Sequence, residues 1–298
     1  MIVDAHLHIY PAFVGTPDGR GPVSLNYGRI LQNGKVVQAL PPSFERSSSP
    51  PEVALAYMDV AGVEKALLTQ GPYYGFFNDY VAQAVYRWPE RFYGLACYNP
   101  TLGQRGPDDL ERWMTEWGLQ GIKCEVPSTR GRWPDFSLLG KREMAVWERC
   151  AELNGVLMLH LDTGRAAAGE VQRLVEALPS LKVIVCHLGM PPAEGWQEQT
   201  RLARHENVYL DMAGVPFLYR DREDYPYPQA QGVLEWAVRE VGAHKIMWGT
   251  DYPSVLRTNT YVQLIDFVRR YCRTLTEEER DMVLGGTAES LLSRAGVR

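Results

Sequence analysis

The chain predicts a single (β/α)8 TIM barrel of the α/β class. Eight short apolar runs recur along its 298 residues, amphipathic helical stretches separate them, and no G-x-G-x-x-G or G-x-x-x-x-G-K-[ST] turn follows an early strand. A doubly wound open sheet that binds nucleotide would carry such a turn. The runs are IVDAHLHI, KALLTQ, RFYGLACYN, GIKCEV, VLMLHLD, KVIVCHLG, VYLDMAG and KIMWGTDYP. Several are almost unbroken Val, Ile, Leu and Met, the composition of parallel strands covered on both faces. A barrel of this kind typically takes about 250 residues, so residues 1–298 fit one domain.

In the first run, Asp4, His6 and His8 alternate with Val3, Ala5, Leu7 and Ile9. Side chains of a strand alternate between faces, so the three polar residues are expected on one face and the apolar ones on the other. Residues 10–50 follow, rich in Gly, Pro and Ser and far longer than an ordinary strand-to-helix loop. They read as an insertion over the strand ends, a lid or substrate loop.

Pro50 and Pro51 open a helix that Gly62 closes, and Asn78 reads as the cap of a second helix ending before Pro89. Leu110, Trp113, Met114 and Trp117 stripe a third helix ending at Gly118, and Val171, Leu174, Val175 and Leu178 stripe a later one ending before Pro179. Thr276 and Glu279 have capping-box spacing. Trp113, Trp117, Trp147 and Trp236 suit packing of helices on the barrel, with a homodimer interface as the alternative.

With 45% apolar residues, 22% charged residues and a formal net charge of −5, the chain has ordinary globular composition and no basic surplus for nucleic acid. Its five cysteines include no C-x-x-C pair, which argues against a disulfide framework or a zinc knuckle and for a reducing compartment. No basic leader and no run of about 20 apolar residues occurs, so a cytoplasmic protein without a membrane partner is expected.

Four of the six histidines, His6, His8, His160 and His187, fall in the first, fifth and sixth runs, and Asp251 ends the eighth. In a barrel those ends converge on one mouth. Imidazole and carboxylate are the ligands that borderline divalent ions favour, and His-x-His along one strand aims two nitrogens at one point. His205 and His244 precede the seventh and eighth runs and belong to the opposite end. A glycosidase pair of Glu125 and Asp211 would leave the converging histidines unexplained, and a serine hydrolase would want G-x-S-x-G, which is absent.

DAHLH, the fifth-run His, HLG, GTDYP and the closing LGGTAESLL together resemble the amidohydrolase-related family of metal-dependent barrels. The stretch GKVVQALPPSFERSSSPPEVALAYMDVAGVEKALL is similar to the branch that includes aminocarboxymuconate semialdehyde decarboxylase. The resemblance implies that His6, His8, His160 and Asp251 bind one divalent ion, zinc first, with manganese or iron as alternatives. It implies that His187 is the nearby acid, base or substrate orienter. Asp4 would support a metal-bound imidazole from behind. Lys123 and Glu125 stand where some members of the wider superfamily bridge two ions through a carboxylated lysine; one ion is the expectation here.

Such an ion activates water and polarises a carbonyl, with Asp251 and His187 as proton carriers. The leading expectation is hydrolysis of a C–O or C–N bond in a small, cyclic or aromatic, carboxylated substrate. The alternative is non-oxidative decarboxylation, and a non-catalytic metal-retaining barrel is a third reading. Tyr73, Tyr74, Phe76, Phe77, Trp133, Phe217, Tyr219 and Tyr252 follow the strands, and Arg165, Arg220, Arg222 and Arg257 lie near the same mouth. Aromatic faces cover planar substrates and arginine takes carboxylates bidentately.

Overall fold

The structure is a computed structural model that describes residues 1–15 and 21–293. Eleven strands occur among these residues: β1 (Val3–His8), β2 (Val23–Ser24), β3 (Arg29–Gln32), β4 (Lys35–Gln38), β5 (Lys65–Thr69), β6 (Phe92–Cys97), β7 (Gly121–Glu125), β8 (Val156–His160), β9 (Lys182–Val185), β10 (Val208–Asp211) and β11 (Ile246–Met247). Eight form one parallel sheet in the order β1-β5-β6-β7-β8-β9-β10-β11. Its first and last strands meet through backbone bonds: Ala5 N–H donates to Trp248 O, Asp251 N–H to His6 O and His8 N–H to Tyr252 O, each at 2.9 Å. The fold is the (β/α)8 barrel, and all eight apolar runs supply its strands.

Residues from β1, β5, β6, β8, β9 and β11 fill the barrel. Val3, Ala5, Leu67, Leu95, Met158, Ile184 and Met247 form a buried cluster with Ala288, Leu291 and Leu292. Those last three belong to the helix Thr287–Leu292, whose Glu289 accepts hydrogen bonds from Lys65 Nζ (2.7 Å) and Tyr93 Oη (2.9 Å). The larger apolar cluster lies between strands and helices and includes Leu7, Ile9, Ala66, Leu68, Trp113 and Trp147. Helix packing therefore absorbs Trp113 and Trp147, and Trp236 packs edge-on against Trp196.

The alternation expected in β1 fails at one point. Asp4 pairs with Ala66 and Leu7 with Leu68, so three residue steps of β1 oppose two of β5. This bulge leaves Val3 and Ala5 in the interior cluster and Leu7 and Ile9 in the outer one. Asp4 consequently does not share a face with His6 and His8. Its carboxylate accepts from Thr250 N–H (2.9 Å), Thr250 Oγ1 (2.6 Å), His6 N–H (3.1 Å) and the Tyr261 hydroxyl.

The helices Pro51–Ala61, Asn78–Arg87, Gly106–Thr115 and Arg165–Ala177 stand where expected, and the Thr276 capping box is present. Asn78 is not a cap. Its amide instead grips the Cys97 backbone, accepting from N–H at 2.8 Å and donating to the carbonyl at 3.4 Å, and so ties that helix to β6.

Within the segment 10–50, β2, β3 and β4 form an antiparallel sheet, and Tyr10 pairs with Ser49 at its base. Residues 16–20 of this segment, and 294–298 of the domain, lie outside the described residues. No helix among the described residues is long and apolar enough to cross a membrane.

Gly121 opens β7 with φ 153°, and a Cβ there would lie 2.0 Å from Val156 O of the neighbouring strand. Gly121→Ala is expected to cost about 3 kcal/mol or more through overpacking and backbone strain, read as a drop in thermal midpoint.

Candidate metal centre

At the C-terminal mouth of the strands, β1 delivers His6 and His8, the end of β8 delivers His160, the turn after β9 delivers His187, and the turn after β11 delivers Asp251. Together with Tyr73, Tyr74, Lys123 and Glu125 they line one cavity of about 220 Å³. Tyr252 faces elsewhere: fully buried, its ring packs among Phe44, Tyr57 and Tyr261. Its contribution to the site is the backbone carbonyl that holds His8 N–H.

Two turns adopt backbone that side chains other than glycine rarely take. His187 (φ 58°), Leu188 (φ 50°) and Met190 (φ 67°) lie in the left-handed region, as does Asp251 (φ 63°). Strain of this kind persists only where surrounding bonds fix it. Asp211 Oδ1 accepts from His187 N–H at 3.0 Å, Thr200 Oγ1 donates to Leu188 O at 2.9 Å, and Asp251 N–H donates to His6 O.

The hydrogen bonds assign the imidazole tautomers. His8 Nδ1 lies 3.0 Å from Thr69 O and His187 Nδ1 lies 2.7 Å from Ala213 O; a carbonyl only accepts, so both nitrogens carry the proton. His6 Nδ1 lies 3.1 Å from Asp211 Oδ2 and donates to that carboxylate. In all three rings Nε2 therefore keeps the lone pair, and in His187 it accepts from His160 Nδ1 at 3.2 Å.

This pattern fits a cation. His8 Nε2, bearing a lone pair, approaches the Asp251 carboxylate at 3.1 Å, two acceptors with no proton between them. His6 Nε2 stands 3.9 Å from the same oxygen, and the donors of His6, His8 and Asp251 all lie within 4.8 Å of one another. A positive charge among them satisfies every lone pair. His160 lines the cavity without joining this close group. Cys186 with His6 and His187 forms a second close group, and burial pushes its thiol well above the ordinary range.

Burial lowers the pKa of His6, His8 and, to about 3, His160, with Lys123 adding to the effect on the first two and His187 on the third. Burial opposes ionisation of Asp251, yet the close approach of His8 and the nearby imidazoles bring it below the usual carboxylate range. At neutral pH the set is three uncharged imidazoles and one carboxylate. Burial raises Asp4 to about 6, consistent with its place outside the barrel wall, bonded to backbone and hydroxyls instead of imidazole.

The carboxylate that lies behind the His6 imidazole is Asp211 and not Asp4. This carboxylate is fully buried; it orients the His6 ring, holds the His187 backbone and accepts from Ala213 N–H at 2.9 Å. The sequence offered a signal, an acid inside the apolar run VYLDMAG. Of the anticipated mouth arginines, Arg220 and Arg257 place their guanidinium carbons 3.9 and 5.1 Å from the Phe217 ring centre, whereas Arg165 pairs outward with Glu198 at 3.0 Å.

A strand-end cluster of imidazoles and a carboxylate defines a metal-dependent barrel enzyme. The amidohydrolase family model matches residues 3–294, and the chain belongs to the amidohydrolase family, whose members include hydrolases and decarboxylases. It is similar to the 2-amino-3-carboxymuconate-6-semialdehyde decarboxylase of Dictyostelium discoideum, 25% identical over 252 residues. That match covers 73% of this chain and spans 65% of the relative's length. Among solved structures the fold is shared with a protein of Acinetobacter baumannii described as a probable 2-pyrone-4,6-dicarboxylic acid hydrolase, with citric acid bound (15% identity, 98% of each chain, TM-score 0.67). It is also shared with a dihydroxybenzoic acid decarboxylase of Polaromonas sp. with manganese and 2-nitroresorcinol bound (18% identity, 83% of this chain and 87% of that one, TM-score 0.58).

Asp211→Asn is expected to weaken divalent-ion binding about 10- to 100-fold, the usual cost of losing a carboxylate behind a ligand imidazole, measured by ion titration of the chelator-stripped protein. His160 has a folded pKa below its unfolded value, so its contribution to stability is complete above pH 6.5 and is lost as pH falls toward 3. Between pH 6.5 and 4.5 it accounts for about 2–3 kcal/mol. In the stripped protein, His160→Gln is expected to flatten the fall in thermal midpoint over that interval.

Proposed function

We propose that this protein is a metal-dependent, non-oxidative decarboxylase of a small, planar acid that carries a second anionic group. The observation that carries the reading is the small cavity: imidazoles and Asp251 at its floor, Tyr73 and Tyr74 at its wall, and the Arg220–Phe217–Arg257 stack after the seventh and eighth barrel strands. At about 220 Å³ it lies below the range of drug-sized sites and suits a single ring. Arg257 has no carboxylate partner among the described residues and feels the charges of Arg220 and Asp251. Arg220 pairs with the exposed Asp221 at 3.3 Å, and two neighbouring guanidiniums with no buried carboxylate partner among the described residues favour an anionic ligand. The names of the Dictyostelium relative and the Polaromonas neighbour support decarboxylation over the hydrolysis that the motifs alone put first.

His6, His8 and Asp251, with His160 beside them, are the residues proposed to hold one ion, zinc or manganese. When bound, the ion would polarise an oxygen of the substrate. Tyr74, whose ring centre stands 4.9 Å from that of His8, would cover the substrate's face. The Ala213 carbonyl fixes the His187 proton on Nδ1, so a second proton would be taken up and passed on at Nε2, which here accepts from His160 Nδ1. In the reaction a proton joins the substrate carbon, the bond to the carboxyl carbon breaks with its electron pair returning to the ring, and carbon dioxide leaves. The segment 10–50 is proposed as the cover of this mouth: Gln32 accepts from Tyr73 Oη at 3.1 Å and Gln38 O from Arg257 at 3.2 Å.

With manganese or zinc restored, the protein is expected to release carbon dioxide from a member of a hydroxybenzoate and unsaturated-diacid panel. The product made in deuterated, ¹⁸O-labelled water should carry one deuteron on carbon and no solvent oxygen. Solvent oxygen in the product of a lactone or amide, with no carbon dioxide released from any acid, would restore the hydrolase reading.

A further inference from the structure

Lys123 is the one cation at the floor of the cavity among the described residues, and the ligand set leaves it without a task. It is 1% exposed, and its ammonium lies 2.9 Å from His6 Nε2, 3.5 Å from Thr69 Oγ1 and 3.8 Å from Glu125 Oε1. Because His6 Nδ1–H is committed to Asp211, Nε2 is an acceptor and the ammonium donates to it. That lone pair is also the one a metal ion would use, and it cannot serve both at once.

Glu125 is built to receive the ammonium when it leaves. Ser128 Oγ donates to Glu125 Oε2 at 3.1 Å, and Gly71 packs so closely that a Cβ there would lie 1.8 Å from Oε1. The missing side chain at position 71 is what makes room for this carboxylate beside the lysine.

We propose that Lys123 competes with the metal ion for His6: its ammonium occupies Nε2 in the ion-free protein and moves to Glu125 when the ion binds, placing a second positive charge in the cavity beside it. This assignment rests on the metal-dependent reading and not on which reaction the loaded protein catalyses. The ammonium keeps the His6 lone pair pointed into the cavity while no ion is there, at the cost of weaker ion binding. In the loaded protein it stands where a substrate oxyanion would meet it.

The test is equilibrium binding of manganese and zinc to chelator-stripped protein against a chromophoric chelator, for wild type, Lys123→Met, Glu125→Gln and the double variant. Melting curves establish that each variant folds, and Lys123→Gln is the substitute should the methionine variant fail. Lys123→Met is expected to bind the ion at least tenfold more tightly, and Glu125→Gln more weakly because the displaced ammonium loses its partner. Much of the Glu125→Gln effect should vanish in the Lys123→Met background, a coupling that independent effects would not give. Equal affinity of wild type and Lys123→Met would overturn the proposal. So would weaker binding by Lys123→Met, which makes the lysine a ligand, as a bicarbonate-dependent carbamate would be. If no variant and no wild type binds either ion, the metal reading fails along with the proposal, whereas a hydrolytic outcome of the turnover assay touches neither.

Discussion

The centre depends on one buried carboxylate. Asp211, at the end of β10, accepts the Nδ1–H of His6 with one oxygen and the backbone N–H groups of His187 and Ala213 with the other. A carboxylate out of water needs full hydrogen-bond compensation, and here the compensation comes from three groups that the site must position. His6 is thereby locked as the tautomer whose lone pair faces the cavity, and the left-handed turn at His187 acquires an anchor. Ala213, held by N–H to Asp211, returns its carbonyl to His187 Nδ1. One side chain thus couples the first strand of the barrel to the turn after the sixth.

The architecture was legible because periodicity and composition act residue by residue. Each barrel strand is a short apolar run, and each stop signal, Gly62, Pro89, Gly118 or Pro179, lies just past a helix. The converging histidines were legible for the same reason: polar residues at the ends of apolar strands share one end of a parallel barrel. The surroundings of Asp4 and Asn78 escape a local reading because they are set by contacts distant in sequence. A bulge in β1 arises from its pairing with β5 and turns Asp4 out of the barrel, and Asn78 reaches the Cys97 backbone from 19 residues away. Tyr252 stands beside Asp251 in sequence, yet a single step along a strained turn sends its ring into the packing layer. Asp211 was visible only as an acid in an apolar run, a feature equally compatible with a structural hydrogen bond.

Four residues other than glycine hold left-handed backbone around the cavity. The cost at Asp251 is borne by the barrel's closure, because its N–H bonds to His6 O across the seam between first and last strands. The seam that completes the fold therefore also fixes the distance between the His-x-His pair and the carboxylate. A change that loosens it should disturb both together, unlike a change in the outer helices.

The charges of the cavity bear on the choice between the two chemistries. Formally, Asp211, Glu125 and Asp251 carry three negative charges, which Lys123 and a divalent ion would balance, leaving the floor neutral. Positive charge at the mouth comes from Arg257 and from Arg220, which pairs with the exposed Asp221 at 3.3 Å, both stacked on Phe217. A substrate with one anionic group at these arginines and a carboxylate over the floor would be held mainly by the former. A neutral floor gives the second carboxylate little extra stabilisation as an anion, and conversion to neutral carbon dioxide then forfeits little binding. Interactions that favour the transition state over the ground state are what accelerate a reaction, and holding the substrate by the group that does not react leaves the departing one free to change.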